Sequence, residues 1–338
     1  MSRAYCGAMA AQETAPIDTV DLSASDAEER FGAALQRAGF VQLVNHGLDE
    51  RVRTQFRSVC DAFFDLPVDE KRQFVHPEPE ANRGYRSRGS EALSYSLGED
   101  SPPDLFESFN SAPDLGDGGA HRLMQSTPWP DASVAGFSAA ATDMAREFAS
   151  LAARLDTMVE RLTGWNGLAQ NSGSGPDTVA AINYRPDPDG YEKAVAGQQR
   201  MGAHSDYTSF TILDAEPVRG LQIVDADGNW VDVTPDADAV LVNVGDLLAM
   251  ATNDQWPSIL HRVIPMDAGS EPFRRSVAYF HYPNLDVLVE PLDEFVGESG
   301  AHYAPVRVED HLLDKLMAPK AQIKSTSATT TAGRLSAS

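Results

Sequence analysis

The sequence predicts a mainly β fold whose strands close into a barrel or form two packed sheets, a class that includes cupin-like jelly rolls. Short strand-like runs separated by turn signals occupy residues 179–283. Asp227-Gly228 lies between the apolar runs Leu221–Val224 and Trp230–Val233, a pattern typical of a β-hairpin. Helical patterns precede this region, so we expect helices to flank a β core.

The predicted helices follow one another along the N-terminal half. Residues 27–38 have an apolar face and stop at Gly39, and residues 40–44 are interpreted as a strand. A second amphipathic helix ends near Pro67, and a longer helix over residues 144–162 is expected to brace the sheet. Their apolar positions are Val52, Phe56, Val59, Phe63 and Phe64 in the second helix and Met144, Phe148, Leu151, Leu155, Met158 and Leu162 in the long one.

The stretch between these helices shows little periodicity. Residues 72–132 are rich in Pro, Gly, Ser and Asp, which favours binding loops or a lid, with a poorly ordered insertion as the alternative. We expect one compact unit over residues 16–318. Its parts are an N-terminal segment of helices and substrate-facing loops (16–132) and a long helix with the jelly-roll core (133–318), between a flexible leader (1–15) and a disordered tail (319–338).

The chain is strongly acidic, with a formal net charge of −23 over 338 residues. Such a surface repels a phosphate backbone, so we expect no nucleic-acid partner. No apolar run approaches the roughly 20 residues of a membrane span, and no signal peptide or obligate protein partner is indicated. Cys6 and Cys60 are too few for a disulfide framework, and Cys60 falls on an apolar helical stripe. We expect a cytoplasmic protein.

His204, Asp206 and His261 form the candidate metal site. On a strand, residues two apart point to the same face, so a strand over residues 204–213 would let the His-x-Asp pair reach one ion. His261 lies in another strand-like run, residues 259–264. Two imidazoles and one carboxylate bind one face of octahedral Fe(II) and leave the opposite face open.

Each of these residues also has a purely structural interpretation. His204 fits a hydrogen-bonded histidine near a strand end, Asp206 a turn or cap acceptor, and His261 a satisfied core histidine. His76 and Glu78 match the same His-x-acid spacing, but in a stretch rich in Pro and Glu that is typical of a loop. The ordered set of three residues favours the metal site at residues 204, 206 and 261.

Arg274 and Ser276 repeat the two-residue spacing in a further strand-like run. A guanidinium presents paired donors to a carboxylate, so this pair is a candidate site for a small dicarboxylic acid, with a surface ion pair as the alternative for Arg274. Arg275 should alternate to the other face as a surface or interlayer charge. Asn243 is interpreted as a residue that shapes a strand end.

These motifs resemble those of the isopenicillin N synthase-like branch of the Fe(II)/2-oxoglutarate-dependent oxygenases, over about residues 16–290. Asn183-Tyr184-Arg185-Pro186 is similar to the family's Asn-Tyr-Tyr-Pro strand, with Arg where Tyr is usual. Further similar segments are Pro16-Ile17-Asp18, Gly39-Phe40, Asn45-His46-Gly47, Phe63-Phe64, Leu66-Pro67 with Lys71, Gly220-Leu221-Gln222-Ile223 and Asn243-Val244-Gly245-Asp246. The resemblance implies a double-stranded β-helix core braced by N-terminal helices.

The resemblance also implies a chemistry. The three candidate metal ligands would hold Fe(II), and the remote carboxylate of 2-oxoglutarate would meet Arg274 and the hydroxyl groups of Ser276 and Tyr184. Decarboxylation of 2-oxoglutarate by dioxygen (O2) yields succinate and carbon dioxide and drives oxidation of an unactivated C–H bond in a small-molecule metabolite. Hydroxylation is the expected outcome, with desaturation and cyclisation as related ones.

Substrate contacts are expected in two regions, the irregular segment that lines the cavity mouth in relatives and the surroundings of the metal motifs. These residues are Tyr85, Arg86, Phe106 and Phe109 in the first region and Tyr207, Leu213 and Phe280 in the second. Arg86 is the candidate anion contact. Each position is also consistent with packing.

Three other functions are compatible with these motifs. An oxidase of the same fold that does not use 2-oxoglutarate, such as isopenicillin N synthase, also carries an Arg-x-Ser pair. A relative that forms ethylene from 2-oxoglutarate itself is a second alternative, and a non-catalytic ligand sensor is a third. The complete set of metal ligands argues against a sensor, because a binding module does not need open iron positions.

Overall fold

The computed structural model describes residues 17–113, 121–173, 176–184, 195–265, 273–298 and 300–321. Its strands are β1 (Asp18–Asp21), β2 (Phe40–Val44), β3 (Gly84–Arg86), β4 (Glu107–Ser111), β5 (Thr178–Tyr184), β6 (Met201–His204), β7 (Phe210–Ala215), β8 (Leu221–Val224), β9 (Trp230–Val233), β10 (Val240–Val244), β11 (His261–Val263), β12 (Arg274–His281), β13 (Leu288–Val289) and β14 (Val306–Arg307). Its α-helices are α1 (Ala27–Ala38), α2 (Glu50–Phe64), α3 (Val68–Lys71), α4 (Phe137–Thr163), α5 (Asp246–Ala251) and α6 (Val308–Ala321).

Two sheets form the core. The larger has the strand order β1-β2-β10-β7-β12-β5-β4-β3, and the smaller has the order β6-β11-β8-β9. In the larger sheet β1 and β2 run parallel, whereas the remaining pairs are antiparallel. Phe40 and Leu241 of the larger sheet pack with Leu221, Ile223 and Val263 of the smaller one. The two facing sheets confirm the predicted jelly-roll core.

Strand alternation gives the larger sheet two different faces. In β12 the even-numbered residues from Arg274 to Phe280 line a cavity, whereas Val277 and Tyr279 belong to the apolar core beneath the helices. Tyr279 stacks on Phe148 of α4 with ring centroids 5.3 Å apart. The helices therefore cover one face of the sheet and leave the other face to the cavity.

A buried polar network also joins β12 to α4. The ring of His281 lies between two carboxylates, with Nε2 at 2.9 Å from Asp156 Oδ2 and Nδ1 at 3.0 Å from Asp177 Oδ2. Tyr279 donates its hydroxyl to the same Asp177 oxygen at 2.7 Å. Burial acts to lower the pKa of His281, but the two carboxylates outweigh it and raise that pKa from 6.5 to about 10.

The predicted helices and hairpin are confirmed. Helix α1 has the expected bounds and ends at Gly39, whose φ is +62°, and a Cβ there would lie 2.3 Å from the carbonyl oxygen of Pro257. Helix α4 extends beyond both ends of the predicted long helix. Strands β8 and β9 form the predicted hairpin, and Cys60 is a buried free thiol.

Some expectations differ from the structure. A single strand over residues 204–213 is wrong, because the chain leaves the smaller sheet after His204 and joins the larger one only at Phe210. Residues 72–132 are more regular than expected, since they include β3 and β4. Helix α6 continues to Ala321, inside the expected tail.

The leader, Arg185 and residues 322–338 lie outside the described residues. Among the helices described, none has the length and hydropathy of a transmembrane segment.

Candidate functional site

The predicted metal ligands meet at the edge of the smaller sheet. Strands β6 and β11 pair with His204 opposite His261, and the two ring centroids are 4.2 Å apart. Asp206 lies just past β6, and its Oδ1 is 3.7 Å from the Nε2 atom of each histidine. One donor atom from each residue falls within 4.8 Å of the other two. The loop, rather than strand alternation, brings Asp206 to the two histidines.

Hydrogen bonds to backbone carbonyls orient both imidazole rings. His204 Nδ1 lies 2.8 Å from the Gly202 carbonyl oxygen, and His261 Nδ1 lies 3.2 Å from that of Ile259. Because a carbonyl oxygen only accepts, each Nδ1 donates and each Nε2 keeps its lone pair. Burial, followed by the proximity of His261, lowers the pKa of His204 to about 4. The site therefore presents His204 as a neutral imidazole.

Asn243 fixes the carboxylate of Asp206. Its Nδ2 donates to Asp206 Oδ2 at 2.7 Å, which leaves Oδ1 toward the histidines. The backbone of Asp206 is also held in place, because the Asp246 N–H donates to the Asp206 carbonyl oxygen at 2.7 Å. The end of β10 and the loop after β6 approach each other closely at Gly245. A Cβ there would lie 2.2 Å from the Thr208 carbonyl oxygen, so this position requires glycine. The partner of Asn243 was not predicted from the sequence, because Asn243 and Asp206 are 37 positions apart.

Arg274 and Ser276 lie side by side on β12 and line the same cavity as the metal ligands. Arg274 Nη1 donates to Ser276 Oγ at 3.4 Å, whereas its Nε and Nη2 are buried without a hydrogen-bond partner among the described residues. Burial, with Arg200 nearby, lowers the pKa of Arg274 to about 10, so the group stays cationic at neutral pH. Arg275 pairs with Glu216 and Asp61 as an interlayer charge, as predicted.

Tyr184 is the neighbour of Arg274 across the β5–β12 pair. It is not, however, among the described lining residues of the cavity. The guanidinium of Arg200 lies 3.8 Å from the centroid of its ring. Tyr184 therefore holds a second arginine near Arg274 by a cation–π contact.

The cavity between the sheets has an empty volume of about 1000 Å³, including its opening to solvent. Five of the predicted substrate positions line it: Arg86, Phe106, Tyr207, Leu213 and Phe280. Tyr85 and Phe109 do not, because strand alternation turns them into the core, where each ring packs edge-on against Phe63. The same alternation brings Ser108 and Asn110 into the cavity.

Other lining residues were not singled out from the sequence. They include Asn82, Glu91, Leu93, Tyr282 and Leu316. Leu316 belongs to α6, which is far from the metal motifs in sequence. His76 lies away from the cavity, and its Nδ1 is 3.0 Å from backbone atoms of Glu78. Within the described ranges, His76 is not part of a group of converging metal ligands.

Two family models match the chain. The model of the 2OG-Fe(II) oxygenase superfamily matches residues 176–283, and the model described as non-haem dioxygenase in morphine synthesis N-terminal matches residues 17–132. The first match contains all three candidate metal ligands and the Arg-x-Ser pair. The second contains helices α1 to α3 and the paired strands β3 and β4.

Curated relatives and solved structures resemble the chain over most of its length. Proline hydroxylase buaE of Petromyces alliaceus is 31% identical, with 77% of this chain and 82% of the relative covered. The 2-oxoglutarate-dependent dioxygenase frbA of Dothideomycetidae sp. (strain 11243) is 33% identical, with 77% and 81% covered. The structure of a full-length Neurospora crassa protein in complex with alpha-KG and thymine has a TM-score of 0.77 at 27% identity, with 89% and 96% covered.

Proposed function

The chain belongs to the 2OG-Fe(II) oxygenase superfamily, and from that premise we propose that it hydroxylates an unactivated C–H bond of a small-molecule metabolite with release of succinate and carbon dioxide. It is a 2-oxoglutarate-dependent dioxygenase whose cofactors are Fe(II) and 2-oxoglutarate. Desaturation and cyclisation are related outcomes of the same chemistry. One observation carries the proposal. The three metal ligands and a buried, incompletely bonded arginine open onto one cavity.

His204, Asp206 and His261 fit an iron site. The atoms that their hydrogen bonds leave free are the two Nε2 atoms and Asp206 Oδ1, and these are the atoms that converge. A donor set of two imidazoles and one carboxylate suits Fe(II) and keeps coordination positions open. We therefore assign the metal to these three residues.

Arg274 fits the remote carboxylate of 2-oxoglutarate. A buried donor without a partner costs about 1–3 kcal/mol, and a carboxylate that accepts from Nε and Nη2 would recover that cost. Ser276 Oγ, beside Nη1, can donate to the same carboxylate. We assign both residues to cosubstrate binding.

The protein's own contribution is positioning. When bound, Fe(II) and 2-oxoglutarate supply the oxidising chemistry. Asn243 holds the Asp206 carboxylate, and the Nδ1 bonds hold both imidazole rings in one tautomer. Phe106, Phe280 and the other apolar lining residues offer an apolar surface to a small substrate, and the few polar groups among them would fix its orientation.

The test is a visible spectrum of the anaerobic Fe(II) protein during titration with 2-oxoglutarate. We expect a metal-to-ligand charge-transfer band that Arg274→Ala shifts to at least about tenfold higher 2-oxoglutarate concentration, because a buried charged hydrogen bond contributes about 1.5–3 kcal/mol. Fe(II) affinity should be unchanged. Succinate release would then serve to screen candidate substrates.

The matched control is Arg146→Ala, which removes an arginine from an exposed pair with Asp143 on α4. This variant should titrate like the wild type. Bound iron without the band in wild-type protein would contradict the proposal, and equal 2-oxoglutarate affinity in Arg274→Ala would remove Arg274 from the site.

A further inference from the structure

Arg86 is already paired within the cavity wall. Its Nη1 lies 2.8 and 3.0 Å from the two carboxylate oxygens of Glu91, and its Nη2 donates to Asn82 Oδ1. Glu91 is only 5% exposed, and both charged residues line the cavity. The positive charge that the sequence suggested for a substrate anion is therefore balanced by a carboxylate of the protein itself.

The neighbouring polar groups are uncharged. Asn110 Nδ2 donates to Asn82 Oδ1 at 3.2 Å, and Ser108 Oγ donates to Asn110 Oδ1 at 3.1 Å. These bonds use only part of the capacity of two amides and a hydroxyl, since each amide can make about four hydrogen bonds. The wall formed by Asn82, Arg86, Glu91, Ser108 and Asn110, here called the polar wall, can donate and accept without adding net charge.

The rest of the described lining is also balanced once the cofactors are bound. The charges of Fe(II) and Arg274 equal in number those of Asp206 and the 2-oxoglutarate dianion. Other described cations lie nearby but do not line the cavity. Arg200 stacks on Tyr184 beside Arg274, Arg83 donates to Thr178 Oγ1, and Lys320 donates to the Pro79 carbonyl oxygen. A substrate carboxylate at the polar wall would therefore lie beside Glu91, and the described cation that lines the cavity there, Arg86, is already paired with that carboxylate.

We infer, on the basis of the proposed function, that the substrate is a neutral molecule with an amide, lactam or hydroxyl group that faces the polar wall. The Arg86–Glu91 pair selects against carboxylates. Discrimination of this kind depends on a repulsive group placed against the wrong ligand, here the Glu91 carboxylate. The apolar side chains beside the wall, Leu93 and Phe106, fit the hydrocarbon part of such a molecule.

Benzamide and benzoate test the inference, because they share a ring and a size but differ in charge. Calorimetric titration of the anaerobic protein loaded with Fe(II) and 2-oxoglutarate should give benzamide at least about tenfold higher affinity, since like charges at close range are costly. Glu91→Gln keeps the side-chain size and should tighten benzoate about tenfold, with benzamide changed by less than about threefold. Glu29→Gln, which removes an exposed carboxylate on α1, should leave the ratio unchanged.

Arg86→Gln provides an opposite test that does not depend on the folding of Glu91→Gln. Without its partner, Glu91 should attract a cation, so benzamidine should gain at least about tenfold in affinity relative to benzamide. The inference is overturned if wild-type protein binds benzoate as tightly as benzamide, or if neither variant changes its charge preference. It is also overturned if none of the three compounds binds any form of the protein.

These outcomes are separable from failure of the proposed function. The charge of Glu91 does not depend on the cosubstrate, so the effects of Glu91→Gln and Arg86→Gln are measured with and without 2-oxoglutarate. A missing charge-transfer band or missing succinate release would count against the oxygenase proposal alone. An unchanged benzamide-to-benzoate ratio in Glu91→Gln, beside a normal band, would count against the substrate class alone.

Discussion

Replacement of Asn243 by Ala should weaken metal binding although Asn243 offers no metal ligand of its own. In the wild type, Asn243 Nδ2 holds Asp206 Oδ2 at 2.7 Å, and Oδ1 is left 3.7 Å from both imidazole Nε2 atoms. Without that donor the carboxylate can rotate, and Oδ1 is no longer fixed toward the metal. The change leaves all three ligands in place, so it isolates the effect of their orientation.

The expected magnitude follows from the burial of the bond. Asp206 is 5% exposed and Asn243 is 4% exposed, so water cannot easily replace the lost donor. A hydrogen bond to a charged group contributes about 1.5–3 kcal/mol, and loss of an outer partner lowers metal affinity about 10–100-fold. The two estimates agree, since tenfold in affinity corresponds to about 1.4 kcal/mol.

The assay is calorimetric titration with Mn(II), a redox-stable substitute for Fe(II), on metal-free wild type and Asn243→Ala. Asn229→Ala, at an exposed position of the β8–β9 turn, is the matched control and should bind like the wild type. Thermal unfolding would establish that each variant is folded at the titration temperature. A folded Asn243→Ala protein with an affinity within about twofold of the wild type would refute the orienting role.

Three further variants test other parts of the structure. His204→Ala removes one of the three proposed iron ligands, and we expect it to abolish 2-oxoglutarate-dependent succinate release with iron supplied. The pKa of His281 is raised from 6.5 to about 10, so its protonated ring stabilises the folded state fully below pH 6.5 and progressively less as the pH rises toward about 10. The difference between wild type and His281→Gln in the free energy of urea-induced unfolding should therefore shrink over that range. Gly245→Ala would place a Cβ 2.2 Å from the Thr208 carbonyl oxygen, and we expect urea unfolding to show a loss of about 1–3 kcal/mol.

Each of these expectations has a clear contrary result. Full turnover by His204→Ala would remove it from the metal site. A stability difference for His281→Gln that stays constant from pH 6.5 to 10 would mean that the buried ring is not charged. An unchanged urea midpoint for Gly245→Ala would mean that the loop after β6 can move away from this glycine at little cost.

Local patterns predicted the helices and several strands because each depends on neighbours in the chain. Helix α1 could be bounded from its apolar spacing and from Gly39, whose positive φ ends the helix. The β8–β9 hairpin followed from Asp227-Gly228, and Gly228 adopts the positive φ that such a turn requires. Strand alternation likewise placed Arg274 and Ser276 on one face of β12 and Arg275 on the other.

Local patterns do not reveal where the chain passes from one sheet to the other. Residues 204–213 have the composition of one strand, but the N–H groups of Asp246 and Leu247 donate to the carbonyl oxygens of Asp206 and Thr208 and hold part of this stretch as a loop. Tyr85 and Phe109 lie in segments that do reach the cavity, but the sequence does not reveal which face of β3 and β4 is turned toward the helices. Both errors concern the packing of one element against another.

The sequence by itself indicated a jelly-roll class, three candidate metal ligands and the Arg-x-Ser pair, because strand periodicity and turn signals are local and the ordered set of residue types carries the ligand chemistry and the family resemblance. Only the tertiary structure decided that Asn243 orients Asp206, that Tyr184 holds Arg200, and that Glu91 balances Arg86. Such pairings join residues that no local rule connects, and their energies depend on burial. The charge of the cavity, and with it the class of substrate we propose, therefore depends on contacts made only in the folded chain.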